Sequence, residues 1–259
     1  MLNAILDSKR DEIKQLSAKR ANWLSSNEQR DIPRYPFLEA LRAPRRSSAL
    51  IAEVKKASPS KGVIRPDFHP VEIARAYQAA GADALSVLTD VTYFQGHPDY
   101  IRQIKEQVCL PVLRKDFIID PLQIAESVAL GADAILLIAK ALPISSLVQL
   151  YREAEAAGLE CLIEVASTEE LEEVLEHLHP PLIGINNRDL STFTTDPERT
   201  KSLLPYIPED ILVISESGIN SPQVVKDLEA HGVSGFLVGE HFMRQDDIES
   251  AVRKLYGEA

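Results

Sequence analysis

The 259-residue chain is 45% hydrophobic and 26% charged, a balance that suits a soluble globular protein with one large core. Its formal net charge of −11 argues against a nucleic-acid backbone or an anionic membrane as the main partner, yet leaves room for an anionic small molecule in a locally positive pocket. Cys109 and Cys161 make no disulfide or metal framework, and no signal-peptide core or run of about 18 apolar residues is present, so the expected location is cytoplasmic, in a reducing compartment.

In chain order, residues from about Asn3 to Leu24 read as an amphipathic helix, with Leu2, Ile5, Leu6, Ile13 and Leu16 on one face and its many charged residues on a solvated outer face. Pro33, Pro36 and Pro44 around Phe37, Leu38 and Leu41 mark a connector with a short helix, so residues 1–48 are expected to form an extension packed on a main domain of residues 49–259. From Ala49 apolar runs alternate with helical segments. The expected strands are Ala49–Val54, Ala84–Leu88, Val112–Arg114, Ala134–Ile138, Glu160–Val165, Leu182–Asn186, Ile211–Ser215 and Gly235–Val238. Helices are expected to begin near Pro70, Pro98, Pro121, Pro143, Thr168, Pro197, Ser221 and Asp246; proline suits a first helical turn because its missing N–H has no intrahelical partner there.

A weak repeat supports this count. AAGADALSVL, ALGADAILLI, AAGLECLIEV and AHGVSGFLVG each pass from a helix end through Gly81, Gly131, Gly158 or Gly232 into a strand, and the glycines suit left-handed caps. Eight such units imply an α/β fold closed into a (β/α)8 TIM barrel with an amino-terminal helical extension; an open doubly wound sheet is the alternative, weakened by the lack of a GxGxxG or P-loop pattern after the first strand.

Barrel enzymes keep their chemistry at the carboxyl ends of the strands. That rim would carry Glu53, Lys55 and Ser58 from strand one, Lys115 and Asp116 from strand three and Glu164 from strand five. Strand six would add Asn186, Asn187 and Arg188, strand seven Glu216, Ser217 and Gly218, and strand eight Gly239 and Glu240. Polar strand ends often do no more than meet water. Glu53 and Glu164 resist that reading, because each sits inside an apolar run, and a buried carboxylate demands a cation or hydrogen-bond donors. Lys55 and Lys115 are the natural partners. The SESGI and LVGEHF turns after strands seven and eight suit a phosphate, with Arg188 adding charge. Pro59, Phe94, Phe117, Leu136, Ile138 and Leu237 would line a slot for an aromatic ring, although ordinary barrel core is the plainer reading of each. Lys56 and Lys61 are assigned to the solvated side of the first loop, and Ser58 to Gly62 to a mobile flap that admits substrate.

The motifs IAEVKKASPSKG, SVLTDVTYFQG, PVLRKDFIID, IGINNRDLSTF, ISESGI and FLVGEHFMR, in this order, closely resemble indole-3-glycerol phosphate synthases in their monofunctional form. The resemblance implies closure of the indole ring of 1-(2-carboxyphenylamino)-1-deoxyribulose 5-phosphate with loss of carbon dioxide and water, and no cofactor or metal. It implies Lys115 as general acid, Lys55 as carboxylate partner and acid of the dehydration with Glu53 beside it, Glu164 as base or electrostatic partner, and Asn186 orienting hydroxyl groups. Ser58 and Glu216 join the substrate-binding set, and Arg188, Ser217, Gly218, Gly239 and Glu240 surround the phosphate, Glu240 through its backbone with its carboxylate turned away. An efficient lysine acid wants its pKa lowered by burial or a second lysine, while the glutamates act in the opposite sense. Two other readings are a Schiff-base lyase or aldolase using Lys115 or Lys55 as nucleophile, and a catalytically idle barrel that binds phosphorylated ligands. A monomer is expected, since no long apolar stripe is left unassigned.

Overall fold

Eight strands of four to six residues close on themselves in a computed structural model that describes residues 1–25, 32–189, 194–196 and 198–258, the side chains of 17–25 excepted. They are β1 (Ala49–Val54), β2 (Ala84–Leu88), β3 (Val112–Lys115), β4 (Ala134–Ile138), β5 (Glu160–Val165), β6 (Leu182–Asn186), β7 (Leu212–Glu216) and β8 (Gly235–Val238). Every strand pairs in parallel with its neighbours in sequence, and β8 returns to β1 in the register Ala49–Gly235 to Ala52–Val238. That last pairing excludes the open doubly wound sheet.

Helices follow the strands as the repeat predicts. They are α3 (Pro70–Ala79), α4 (Asp99–Lys105), α5 (Pro121–Leu130), α6 (Ile144–Ala156), α7 (Thr168–His177), α8 (Glu198–Leu203), α9 (Pro222–Ala230), a short α10 (Glu240–Met243) and α11 (Ile248–Leu255); α1 (Leu2–Ser25) and α2 (Phe37–Arg42) precede the barrel. Asp120 and Gln123 form a capping box on α5, and Ser167 and Ser221 cap α7 and α9 by accepting backbone N–H bonds. Pro197 and residues 190–193, the LSTF end of the fourth motif, lie outside the described residues.

Strand pleating sorts the side chains onto two faces. On β1, Leu50, Ala52 and Val54 pack against the helices, while Ala49 and Ile51 join the barrel interior. The same alternation turns Glu53 inward. On β5, Cys161, Ile163 and Val165 face outward and Leu162 inward, which points Glu164 into the barrel. Lys115, Asn186 and Glu216 follow from Leu113, Leu182 and Ile214 by the same count of two. An inward position at the last turn of a strand is therefore what brings these polar groups together.

The repeat has a structural meaning at its second position after glycine. Asp83 accepts the N–H groups of Leu50 and Arg45, and Asp133 those of Val112 and Tyr35. Glu160 accepts the N–H of Leu38, and Ser234 that of Val213. Three of these four side chains thus bind backbone from the segment before the barrel. They hold α2, with Phe37 and Leu41 buried, against the amino ends of the strands.

Three expectations change. β3 runs on to Lys115, and β7 is Leu212–Glu216 rather than Ile211–Ser215, so Lys115 and Glu216 are strand residues. The charged face of α1 is not all solvated: the Lys9 side chain is 0% exposed. The first loop contains an antiparallel hairpin in which Ala57–Ser58 pairs with Gly62–Val63, leaving Pro59 to Lys61 at its tip.

Candidate active site

A cavity of about 540 Å³ opens at the carboxyl ends of the strands, and all eighteen candidate residues line it: Glu53, Lys55, Ser58, Pro59, Phe94, Lys115, Phe117, Leu136, Ile138, Glu164, Asn186, Arg188, Glu216, Ser217, Gly218, Leu237, Gly239 and Glu240. Lys115 lies at its centre of charge. Its Nζ donates to Glu216 Oε2 at 2.6 Å and to Glu164 Oε2 at 3.2 Å. Burial works to lower the Lys115 pKa, but Glu216, Glu164 and Glu53 together outweigh it, and the net direction is upward. Of the two opposing influences on a lysine acid, the carboxylates therefore prevail over burial, two of them bonded to the ammonium and Glu53 acting through its charge.

Glu216 is shifted the other way from an ordinary carboxylate. Burial dominates and Glu164 and Glu53 add repulsion, against which Lys115 is insufficient, so its pKa is pushed up to about 7. One of its oxygens bonds Lys115, and the other is buried with no hydrogen-bond partner among the described residues. Gly184, the inward residue of β6, makes room for it: a Cβ there would collide with Oε1.

On the adjacent side Lys55 and Glu53 form a close ion pair. The Glu53 carboxylate fills the space above Gly239, where a Cβ would overlap it. So Gly239, singled out for its backbone beside a phosphate, also serves to seat Glu53. Asn186 Nδ2 donates to Glu164 Oε1 at 3.1 Å, while its Oδ1 accepts from Ser217 Oγ and from the Arg188 backbone, each at 3.0 Å. That bonding fixes the amide orientation and leaves Glu164 held by Lys115 and Asn186 on different oxygens.

The mouth is cationic. Arg188 Nη2 lies 3.0 Å from Glu240 Oε2, Arg244 Nη2 3.0 Å from Glu240 Oε1, and Lys61 Nζ 4.0 Å from the same carboxylate. The Glu240 carboxylate therefore faces these three cations. Burial raises its pKa, but Arg188 and Arg244 more than offset this, and the net shift is downward. Lys61, assigned to the solvated side of the loop, lines the cavity although its side chain is 46% exposed. Arg244 was missed altogether; its signal was the spacing of four from Glu240 in GEHFMR, a helical ion-pair spacing.

Phe94 and Phe117 form the apolar wall, their centroids 6.2 Å apart with planes at 42°. Leu136, Ile138 and Leu237 continue it from β4 and β8. Among the described residues no cluster of His, Cys, Asp or Glu suits a metal ion, and no helix is long and apolar enough to cross a membrane.

Acid–base groups facing one another across an otherwise apolar cavity, beneath a cationic mouth, place the chain among the (β/α)8-barrel enzymes that act on small phosphorylated molecules. Sequence relatives narrow this further. The family model described as indole-3-glycerol phosphate synthase matches residues 2–255. The indole-3-glycerol phosphate synthase of Geobacillus kaustophilus is 56% identical over 258 residues, covering 100% of this chain and 97% of the relative; that of Priestia megaterium is 50% identical over 259 residues, covering 100% and 98%. Among solved structures, 3-hexulose-6-phosphate synthase from Salmonella typhimurium superposes with a TM-score of 0.64 over 80% of this chain and 96% of its own, at 15% identity, a likeness of fold alone. The chain belongs to the indole-3-glycerol phosphate synthase family. It is a carboxy-lyase of tryptophan biosynthesis, closing the indole ring of 1-(2-carboxyphenylamino)-1-deoxyribulose 5-phosphate with loss of carbon dioxide and water.

Proposed function

We propose that Lys115 is the proton donor of ring closure. A ring carbon attacks the ketone carbon, electron density moves onto the ketone oxygen, and a proton must reach that oxygen as the bond forms. The observation that carries this reading is an ammonium inside the cavity, kept charged and aimed by Glu216 at 2.6 Å and Glu164 at 3.2 Å. Departure of carbon dioxide returns the electron pair of the broken bond to the ring. Dehydration then requires a proton on the departing hydroxyl and removal of one from the neighbouring carbon. Lys55 and Glu53, paired beside the first cluster, supply that acid and base, and Lys55 meets the substrate carboxylate before it leaves. Glu164 balances charge as Lys115 gives up its proton, and Asn186 orients the hydroxyl groups.

The ring rests against Pro59, Phe94, Phe117, Leu136, Ile138 and Leu237, with Ser58 at its edge. The phosphate lies at the opposite end, at Arg188, Lys61 and Arg244 and the backbone of Ser217, Gly218, Gly239 and Glu240. There it competes with the Glu240 carboxylate for the guanidinium groups, which is how an anionic ligand enters a site that already holds an anion. Residues 1–48 act as an extension to a catalytic barrel of residues 49–259. The enzyme works in the cytoplasm as a monomer without nucleic-acid partners; the scattering of exposed large apolar residues (Val63, Val91 and Tyr206) supports the monomer.

The test is direct. Adding the carboxyphenylamino deoxyribulose phosphate to the protein produces indole fluorescence, and Lys115→Ala lowers kcat by about a hundredfold or more with KM little changed. Near-normal turnover in that variant removes Lys115 from the donor role. Borohydride added during turnover traps no adduct; a covalent adduct at Lys115 or Lys55 shows instead the Schiff-base chemistry of a lyase.

A further inference from the structure

Lys9 is a fully buried lysine on a helix outside the barrel, and its charge is spent on two loops that form the cavity wall. Its Nζ lies 2.9 Å from Asp90 Oδ2 and 2.8 Å from Asp116 Oδ1, with Glu12 of its own helix at 2.7 Å. The two aspartates follow β2 and β3, and their side chains are buried as well. Each has a second bond. Asp90 Oδ1 accepts the backbone N–H groups of Tyr93 at 2.7 Å and Phe94 at 3.1 Å. Asp116 Oδ1, the oxygen that meets Lys9, accepts the N–H of Phe117 at 2.8 Å. One ammonium is therefore two bonds away from the backbone of both aromatic walls.

We propose that Lys9 is a positioning residue for the aromatic slot: through Asp90 and Asp116 it ties the loops after β2 and β3 together and sets the spacing of Phe94 and Phe117. This rests on the reading that the slot receives the ring of the substrate. Two buried carboxylates on separate loops repel unless a cation stands between them, and a buried ammonium is tolerated only when paired, so each side of the contact requires the other. Arg114 on β3 and Thr89, the first residue after β2, also hold Asp116, at 3.2 and 2.5 Å, so Asp116 has a second counter-charge and the two loops one direct bond besides the ammonium. The β2 loop depends on Lys9 for its counter-charge. The tie is closed throughout the neutral range: burial pulls the Lys9 pKa down, but Asp116 and Asp90 more than reverse it and the net shift is upward. The amino-terminal helix thereby becomes part of the machinery for ring binding without touching the ligand.

Lys9→Met removes the ammonium and keeps the length of the side chain. The expected result is a KM for the carboxyphenylamino deoxyribulose phosphate raised about tenfold, with inhibition by inorganic phosphate changed by less than about twofold. A purely structural loss lowers the active fraction, and with it kcat, without moving KM or the phosphate constant in this selective way. Where the single variant does not fold, Lys9→Met with Asp90→Asn removes one charge of each sign and is expected to show the same selective loss. An unchanged KM in a folded variant, or parallel weakening of phosphate, overturns the proposal. Phe94→Ala separates the two readings: if it too leaves KM unchanged, the assignment of the slot has failed, whereas if it raises KM and Lys9→Met does not, only the role of Lys9 has.

Discussion

Gly184 and Gly239 lack side chains where carboxylates of neighbouring strands need the volume, Glu216 in one case and Glu53 in the other. The site is thus built by pairing an inward acid with a glycine in, or directly after, the adjacent strand, a relation visible only once register is known. Glu53 and Glu164 were legible from sequence because each sits inside an apolar run, where a carboxylate demands a buried partner, and Lys115 as a rim residue one position past the expected end of its strand at Arg114. Glu216 was legible only as a rim residue, since the expected strand stopped at Ser215; one further residue of β7 places its carboxylate against Lys115. Lys9 was not legible, because a lysine on a charged helix looks solvated and the two aspartates it meets lie more than 80 residues away. The position of Glu216 makes a testable statement about pH. Its charge is the largest support for the Lys115 ammonium, opposed chiefly by burial. Glu216→Gln removes that support, so the Lys115 pKa falls and the alkaline limb of the kcat/KM profile moves to lower pH. A profile whose alkaline limb does not move means that Lys115 is not the acid whose ionisation limits the rate.

The turn after β7 shows how an element carries function. Ser217 and Gly218 both have positive φ, 68° and 80°, a left-handed conformation that glycine tolerates and serine does not favour. Serine is held there by its bonds. Its hydroxyl donates to Asn186, and its carbonyl accepts from Asn187 Nδ2, whose Oδ1 in turn accepts from the Thr200 backbone and hydroxyl at the start of α8. The β6 and β7 loops are therefore one cross-linked unit. Turn glycine made this loop legible as a ligand approach; the Asn187 bridge was not, because an asparagine beside a strand end has no sequence signature of its own. Ser217→Asp puts a carboxylate beside the expected phosphate and removes the donor to Asn186. The expected outcome is a KM raised about tenfold or more, with kcat affected less. Steady-state kinetics decide it, and a fall in kcat at unchanged KM shows that the phosphate lies elsewhere.

For the molecule as a whole, the order of strands and helices was legible because each strand–helix unit is local and repeats, whereas the course of the segment before the barrel was not. That segment is held in part through the backbone N–H groups of Tyr35, Leu38 and Arg45, which any residue supplies. The information lies instead in the acceptors, at the second position after glycine in the repeat. Asp133 is the most heavily used of these: besides Tyr35 N–H and Val112 N–H it binds Lys105 Nζ at 2.6 Å, with the lysine side chain 0% exposed. Asp133→Asn keeps an acceptor oxygen but leaves the Lys105 ammonium buried without its counter-charge, a loss of about 3–5 kcal/mol where a buried pair is broken. Burial already lowers the Lys105 pKa despite Asp133, and removing the carboxylate lowers it further. The unfolded chain then binds the lysine proton up to a higher pH than the folded one does, so stability rises with pH between the two values. Denaturant unfolding of the variant should accordingly show a deficit that is largest near neutral pH and shrinks as the ordinary lysine pKa is approached, while kcat, set at the opposite end of the barrel, stays near wild type. A deficit that is the same at both pH values assigns the loss to the backbone acceptors alone, and a variant as stable as wild type removes Asp133 from the docking of the amino-terminal segment.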